Sequence, residues 1–144
     1  MKTTFFIAGT PKPQARPRFA RRGKFVTTYS QTTDWKKVCI KNAKEIFACV
    51  GMYENAIRVD LDFFFQRPKS HYRTGKFSHL LRDDAPKYHV KKGDIDNLAK
   101  AVYDAMTDAG LLHDDCIIVR GMTSKSYIKE EEKNGCWVAI EVLE

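Results

Sequence analysis

The sequence predicts an α/β fold of the α+β type: a small mixed β-sheet packed with two main helices in a single domain. Three observations carry that expectation. The chain has 144 residues, within the roughly 100–200 of one domain. Two stretches repeat apolar residues at helical spacing, and shorter stretches rich in β-branched and aromatic residues lie before, between and after them. No internal repeat and no linker interrupts the order.

Thr3 to Ala8 is β-branched and aromatic and reads as a first strand. Gly9 to Pro13 ends it. Residues 11–25 then combine prolines with basic residues, Arg16, Arg18, Arg21, Arg22 and Lys24 among them, around Phe19 and Phe25. Proline denies a helix its donors, so this is an extended basic arm. Basic and aromatic residues in alternation suit a phosphate backbone with neighbouring bases; the plainer reading is a solvated loop anchored by two phenylalanines. Thr33 to Val50 forms the first helix, with Trp35, Val38, Cys39, Ala43, Ile46, Phe47 and Val50 on its apolar face. Ile57 to Phe65 alternates as a half-buried strand whose polar face carries Asp60 and Asp62. These two carboxylates could ligate a metal, but a solvated strand face is the simpler account. Residues 66–93 have no clear period and are basic, with Lys69, Lys91 and Lys92 among them. Loops this long are usually functional or disordered, so a substrate-binding flap is expected, with room for a helical turn near Ser78 to Arg82. Asp94 to Ala109 is the second helix, with Ile95, Leu98, Ala99, Val102, Met106 and Ala109 as its face and Gly110 as its C-terminal cap. Ile117 to Tyr127 and Cys136 to Leu143 read as two final strands joined by a charged hairpin loop, Lys129 to Gly135.

Composition narrows the function. The net charge is +7 and uneven: residues 1–50 hold 11 basic and two acidic residues, and residues 101–144 hold four and nine. A basic first third suits a polyanionic partner. Four cysteines without a Cys-x-x-Cys pair argue against a zinc ribbon, and they read as reduced, mostly buried thiols. Phe5 to Ala8 is too short for a signal peptide, and no run of about 20 apolar residues spans a membrane. A cytoplasmic protein is expected.

The chemistry concentrates in Gly93-Asp94-Ile95-Asp96-Asn97-Leu98-Ala99-Lys100, followed by His113-Asp114-Asp115. Asp94 suits a helix N-cap, and Asp96 and Lys100 are i, i+4 partners. Carboxylates are hard ligands for Mg²⁺, with Mn²⁺ as a substitute. A metal so held activates water for attack on phosphorus, and a lysine beside it stabilises developing charge. The two acidic clusters, however, begin at opposite ends of one helix. Their convergence needs either a returning chain or a second subunit. Otherwise Asp94 is only a cap, Asp96–Lys100 a surface pair and Asp114-Asp115 a turn.

The run from Asp94 to Ala105, then Gly110 and Asp114-Asp115, resembles the signature of RusA-type Holliday junction resolvases. Pro13 to Phe19 and Pro68-Lys69-Ser70 resemble phage and prophage members. The resemblance implies metal-binding roles for Asp94, Asp96 and Asp115 and a catalytic role for Lys100, with Asn97 and Asp114 secondary. It implies a homodimeric, Mg²⁺-dependent endodeoxyribonuclease that acts on branched DNA, nicking four-way junctions in pairs to leave 5′-phosphates. One departure is plain: many members have proline where this chain has Gly93. The candidate DNA contacts are Arg16, Arg18, Arg21, Arg22, Lys24, Lys69, Lys91 and Lys92. The competing readings are a basic DNA-binding module without catalysis and a branched-DNA nuclease of broader taste.

Overall fold

The computed structural model describes residues 2–14, 18–23, 25–29, 33–129 and 132–143. Its elements are β1 (Lys2–Ala8), β2 (Arg18–Arg22), β3 (Phe25–Tyr29), α1 (Asp34–Val50), β4 (Ile57–Phe65), α2 (Ile95–Asp108), β5 (Ile118–Arg120), β6 (Thr123–Tyr127) and β7 (Gly135–Val142). Five strands form one mixed sheet, which with two helices is the α+β class expected. The chain divides into two compact units, each built from separated segments.

The first unit comprises Met1–Pro11, Ala56–Lys92 and Ile118–Glu144 and contains the sheet. β7 is central: it pairs antiparallel with β1 on one side and along β4 on the other. Beyond β4, β5 and β6 run parallel to it. Alternation puts Ile57, Val59, Leu61 and Phe63 of β4 on the buried face, with Phe5 and Ile7 of β1 and Val138 and Ile140 of β7. The expected strand Ile117 to Tyr127 is broken at Gly121-Met122. The cause lies on β4: the Asp60 carboxylate accepts the Met122 N–H at 2.9 Å, while Asp62 accepts the Ser124 hydroxyl at 2.7 Å. A Cβ at Gly121 would run into the Val59 carbonyl oxygen, so only glycine lets the chain approach β4 there. Burial works against the Asp60 charge, but the Met122 N–H and the Arg58 guanidinium outweigh it and hold the carboxyl below its usual value. Asp60 and Asp62 thus pin the sheet edge. The segment Lys129 to Gly135 is not a hairpin loop, because β6 and β7 lie on opposite sides of β4.

Residues 66–93 are also more ordered than their composition suggests. The buried Arg67 side chain donates to the carbonyls of Ile128 and Pro86, both at 2.7 Å. The His89 ring stacks on Phe65 at 3.9 Å. Single 3₁₀ turns form at Lys69–His71 and Gly75–Phe77, the second just ahead of the turn expected at 78–82.

The second unit comprises Lys12–Asn55 and Gly93–Ile117. The basic arm does not stay single: β2 and β3 form an antiparallel hairpin, with Arg21 opposite Val26 and Arg22 opposite Phe25. α1 starts where expected, the Thr33 hydroxyl accepting the Lys36 N–H at 3.1 Å. Its stripe is buried at Trp35, Cys39 and Ala43, whereas Phe47 and Val50 are each 39% exposed. α2 buries Leu98, Ala99, Ala101, Val102, Ala105 and Met106, but Ile95 at its first turn is exposed. Beyond α2, Gly110 N–H reaches Thr107 O and Leu111 N–H reaches Met106 O, completing a Schellman cap. Of the thiols expected to be mostly buried, Cys39 and Cys136 are buried and Cys49 and Cys116 exposed. Burial pushes the Cys39 thiol up to about 12, which makes it inert. No helix among the described residues is long and apolar enough to cross a membrane.

Candidate active site

α2 and the turn after it build the site within the second unit. Asp94 occupies the N-cap position of α2, but its side chain makes no capping hydrogen bond, so the carboxylate is not consumed by the helix as the cap reading required. One Asp96 oxygen accepts the Asn97 N–H at 3.0 Å. The Asn97 carbonyl accepts the Gln14 N–H at 2.9 Å, which ties the base of the basic arm to the start of α2.

Lys100 corrects the sequence reading. Its ammonium is not on Asp96. It lies 2.7 Å from Asp115 Oδ2 and 2.9 Å from Asp104 Oδ1. Two carboxylates hold the ammonium better than one, and Asp96 has turned to a backbone donor. Asp115 is thus brought back to Lys100, but among the described residues Asp94 and Asp96 do not join it in one group of carboxylates. Lys100 precedes the end of α2 by about 12 Å of helix rise, and the chain doubles back to it. Leu111 O accepts the Tyr53 N–H, and Tyr53 O accepts the His113 N–H. These bonds strap the returning segment before a 3₁₀ turn at Asp115–Ile117. Asp114 stabilises that turn by accepting the Cys116 N–H at 3.0 Å.

The electrostatics follow from these contacts. Hydrogen bonds to Asp115 and then Asp104 raise the Lys100 pKa well above its ordinary value, so the side chain stays cationic throughout the physiological range. The Cys116 N–H, and next the hydrogen bond with Asp115, hold Asp114 below the usual carboxylate value. Desolvation and then the Asp114 charge push the Cys116 thiol up, which leaves it a poor nucleophile.

Among the described residues, no group of three or more His, Cys, Asp or Glu side chains is gathered so as to hold a metal ion. The donor set nevertheless fits a hard divalent cation. Asp94, Asp96 and Asp115 offer oxygen ligands, and Asp115 already holds a cation, the Lys100 ammonium. Of the candidate DNA contacts, Arg18, Arg21 and Arg22 lie on β2. Lys69 lies in a 3₁₀ turn of the first unit, and Lys91 and Lys92 are exposed near the end of the same loop. Arg16 and Lys24 lie outside the described residues. Asp104 is the residue that the sequence reading missed; its i, i+4 spacing from Lys100 was the available signal.

The profile of one family, Endodeoxyribonuclease RusA, matches residues 8–141. No curated protein matches the chain significantly. The family match covers nearly the whole chain and spans every element of the site, and the chain belongs to the RusA family of endodeoxyribonucleases. It is an enzyme that cleaves DNA, of the Holliday junction resolvase type, which sets aside the reading of a binding module without catalysis.

Proposed function

We propose that the chain is a structure-selective, Mg²⁺-dependent endonuclease that resolves four-way junctions by paired symmetric nicks, working as a homodimer in recombination and repair. The observation that carries this reading is the 2.7 Å contact between Lys100 and Asp115, which brings the lysine and the distant acidic pair to one place. Asp94, Asp96 and Asp115 are the residues that would hold the metal, which when bound supplies a water of lowered pKa and neutralises phosphate charge. Lys100 carries a fixed positive charge to the scissile phosphate, where negative charge grows as the P–O3′ bond breaks. Water adds to phosphorus, the 3′ oxygen leaves with a proton, and the product keeps a 5′-phosphate. The Gln14–Asn97 bond ties the start of the basic arm to the same helix end, and the arginines further along the arm would meet the flanking backbone. A second subunit would supply the second nick.

A synthetic four-way junction incubated with the protein in Mg²⁺ or EDTA, beside Asp96→Asn, tests this. The expected result is paired symmetric nicks that need Mg²⁺ and vanish in the variant. Cleavage in EDTA, or single unpaired nicks with flaps and forks cut as readily, would overturn it.

A further inference from the structure

Lys100 raises a question that the reading above does not answer. Its ammonium sits on an oxygen of Asp115, the carboxylate that a divalent cation also needs. A lysine ammonium and a divalent cation repel, and one carboxylate oxygen cannot serve both at full strength. Either the lysine blocks the site or it has somewhere else to stand. Asp104 provides that place. Its Oδ1 already touches Nζ at 2.9 Å, and it lies one turn along the same helix. Its side chain is only 24% exposed, against 51% for Lys100, and its neighbours Ala101, Val102 and Ala105 are buried. The seat is therefore fixed by a packed helix, and Lys100 can shift its weight onto it without any backbone movement.

We propose that Asp104 is a positioning residue, a second seat onto which Lys100 transfers when a divalent cation takes Asp115. This rests on the assignment of Asp115 as a metal ligand. The lysine is then a resident competitor for the site as well as a catalytic group, and Asp104 sets how readily it yields. Linkage makes the relation reciprocal: the factor by which a bound cation strengthens the Lys100–Asp104 pairing is the factor by which that pairing strengthens cation binding at Asp115. An ordinary exposed i, i+4 pair would carry no such coupling.

The test is Mn²⁺ binding to the full chain without DNA, followed by electron paramagnetic resonance. The proteins are the wild type, Lys100→Met, Asp104→Asn, the double variant and Asp104→Glu, with far-UV circular dichroism as a check on folding. Lys100→Met should bind Mn²⁺ more tightly, because the competitor is gone. Asp104→Asn should bind it more weakly, by at least about fivefold, the lower end of ordinary site-to-site coupling. In the Lys100→Met background Asp104→Asn should have no further effect, and Asp104→Glu should restore binding. Equal weakening by Asp104→Asn in both backgrounds would mean a mere loss of nearby charge and would overturn the proposal, as would unchanged affinity in either single variant. If Asp104→Asn does not fold, Asp104→Ser replaces it in both backgrounds with the same expected outcomes. No Mn²⁺ binding by any of the proteins would instead bring down the metal assignment itself.

Discussion

Gly93 stands immediately before the first acidic residue of the site with φ 115°, where many family members carry proline. Proline is locked near φ −65°, so the two residues specify different paths into α2. A Cβ at this position would meet only Leu98 methyl carbons, the nearer at 3.8 Å; the constraint is the backbone angle and not space. Gly93→Pro should therefore destabilise the protein by more than about 1 kcal/mol. Urea unfolding would show this, and an unchanged midpoint would mean that the chain tolerates the other path. At this scale the carboxylates and the lysine of the candidate site stand out in the sequence, because their spacing is local. It did not disclose who holds whom. Periodicity sees only i, i+4 neighbours, so it paired Lys100 with Asp96. The true partners are Asp104, also i, i+4 but on the far side, and Asp115, which only a folded turn brings near.

Arg67 shows what an element can hide. A basic loop of 28 residues reads as a free flap, yet one buried guanidinium binds the Pro86 carbonyl within it and the Ile128 carbonyl beyond β6. Composition cannot distinguish a basic residue that meets DNA from one that organises its own loop. Arg67→Met would leave both carbonyls without this donor, at about 1–3 kcal/mol for each group that stays dry. The expected outcome is faster proteolytic nicking within residues 66–93, with Lys69, Lys91 and Lys92 still present but no longer fixed. Equal nicking of variant and wild type would show the loop to be held by its other contacts, such as His89 on Phe65. β4 and both helices were legible because a long periodic run determines its own burial. The break between β5 and β6 was not, since its causes, the Asp60 carboxylate and the Val59 carbonyl, lie some sixty residues away in the chain.

The charge of the whole molecule is its plainest functional signal. Eleven basic residues against two acidic ones in the first 50 positions, with an acidic excess after residue 100, give the chain an uneven field. Junction binding should weaken steeply with salt, each displaced phosphate counterion adding about 0.9 to the log–log slope on duplex arms. Replacing Lys69, Lys91 or Lys92 by alanine should each lower that slope by about 1. A salt titration of junction affinity would reveal any of the three that touches no phosphate, because its slope would stay unchanged. The fold class was legible from element order, but strand order was not, since nothing local shows that β7 lies between β1 and β4. That order has a consequence for the living cell. Among the described residues β1 pairs only with β7, Lys2 opposite Glu141 and Ala8 opposite Gly135. At about 5–20 residues per second, the ribosome releases β1 on the order of ten seconds before its partner exists. Through that interval Phe5, Phe6 and Ile7 travel unpaired on the nascent chain. The sheet is thus assembled only after residues 135–142 have been made, and the youngest polypeptide is a client for whatever shields apolar segments during synthesis.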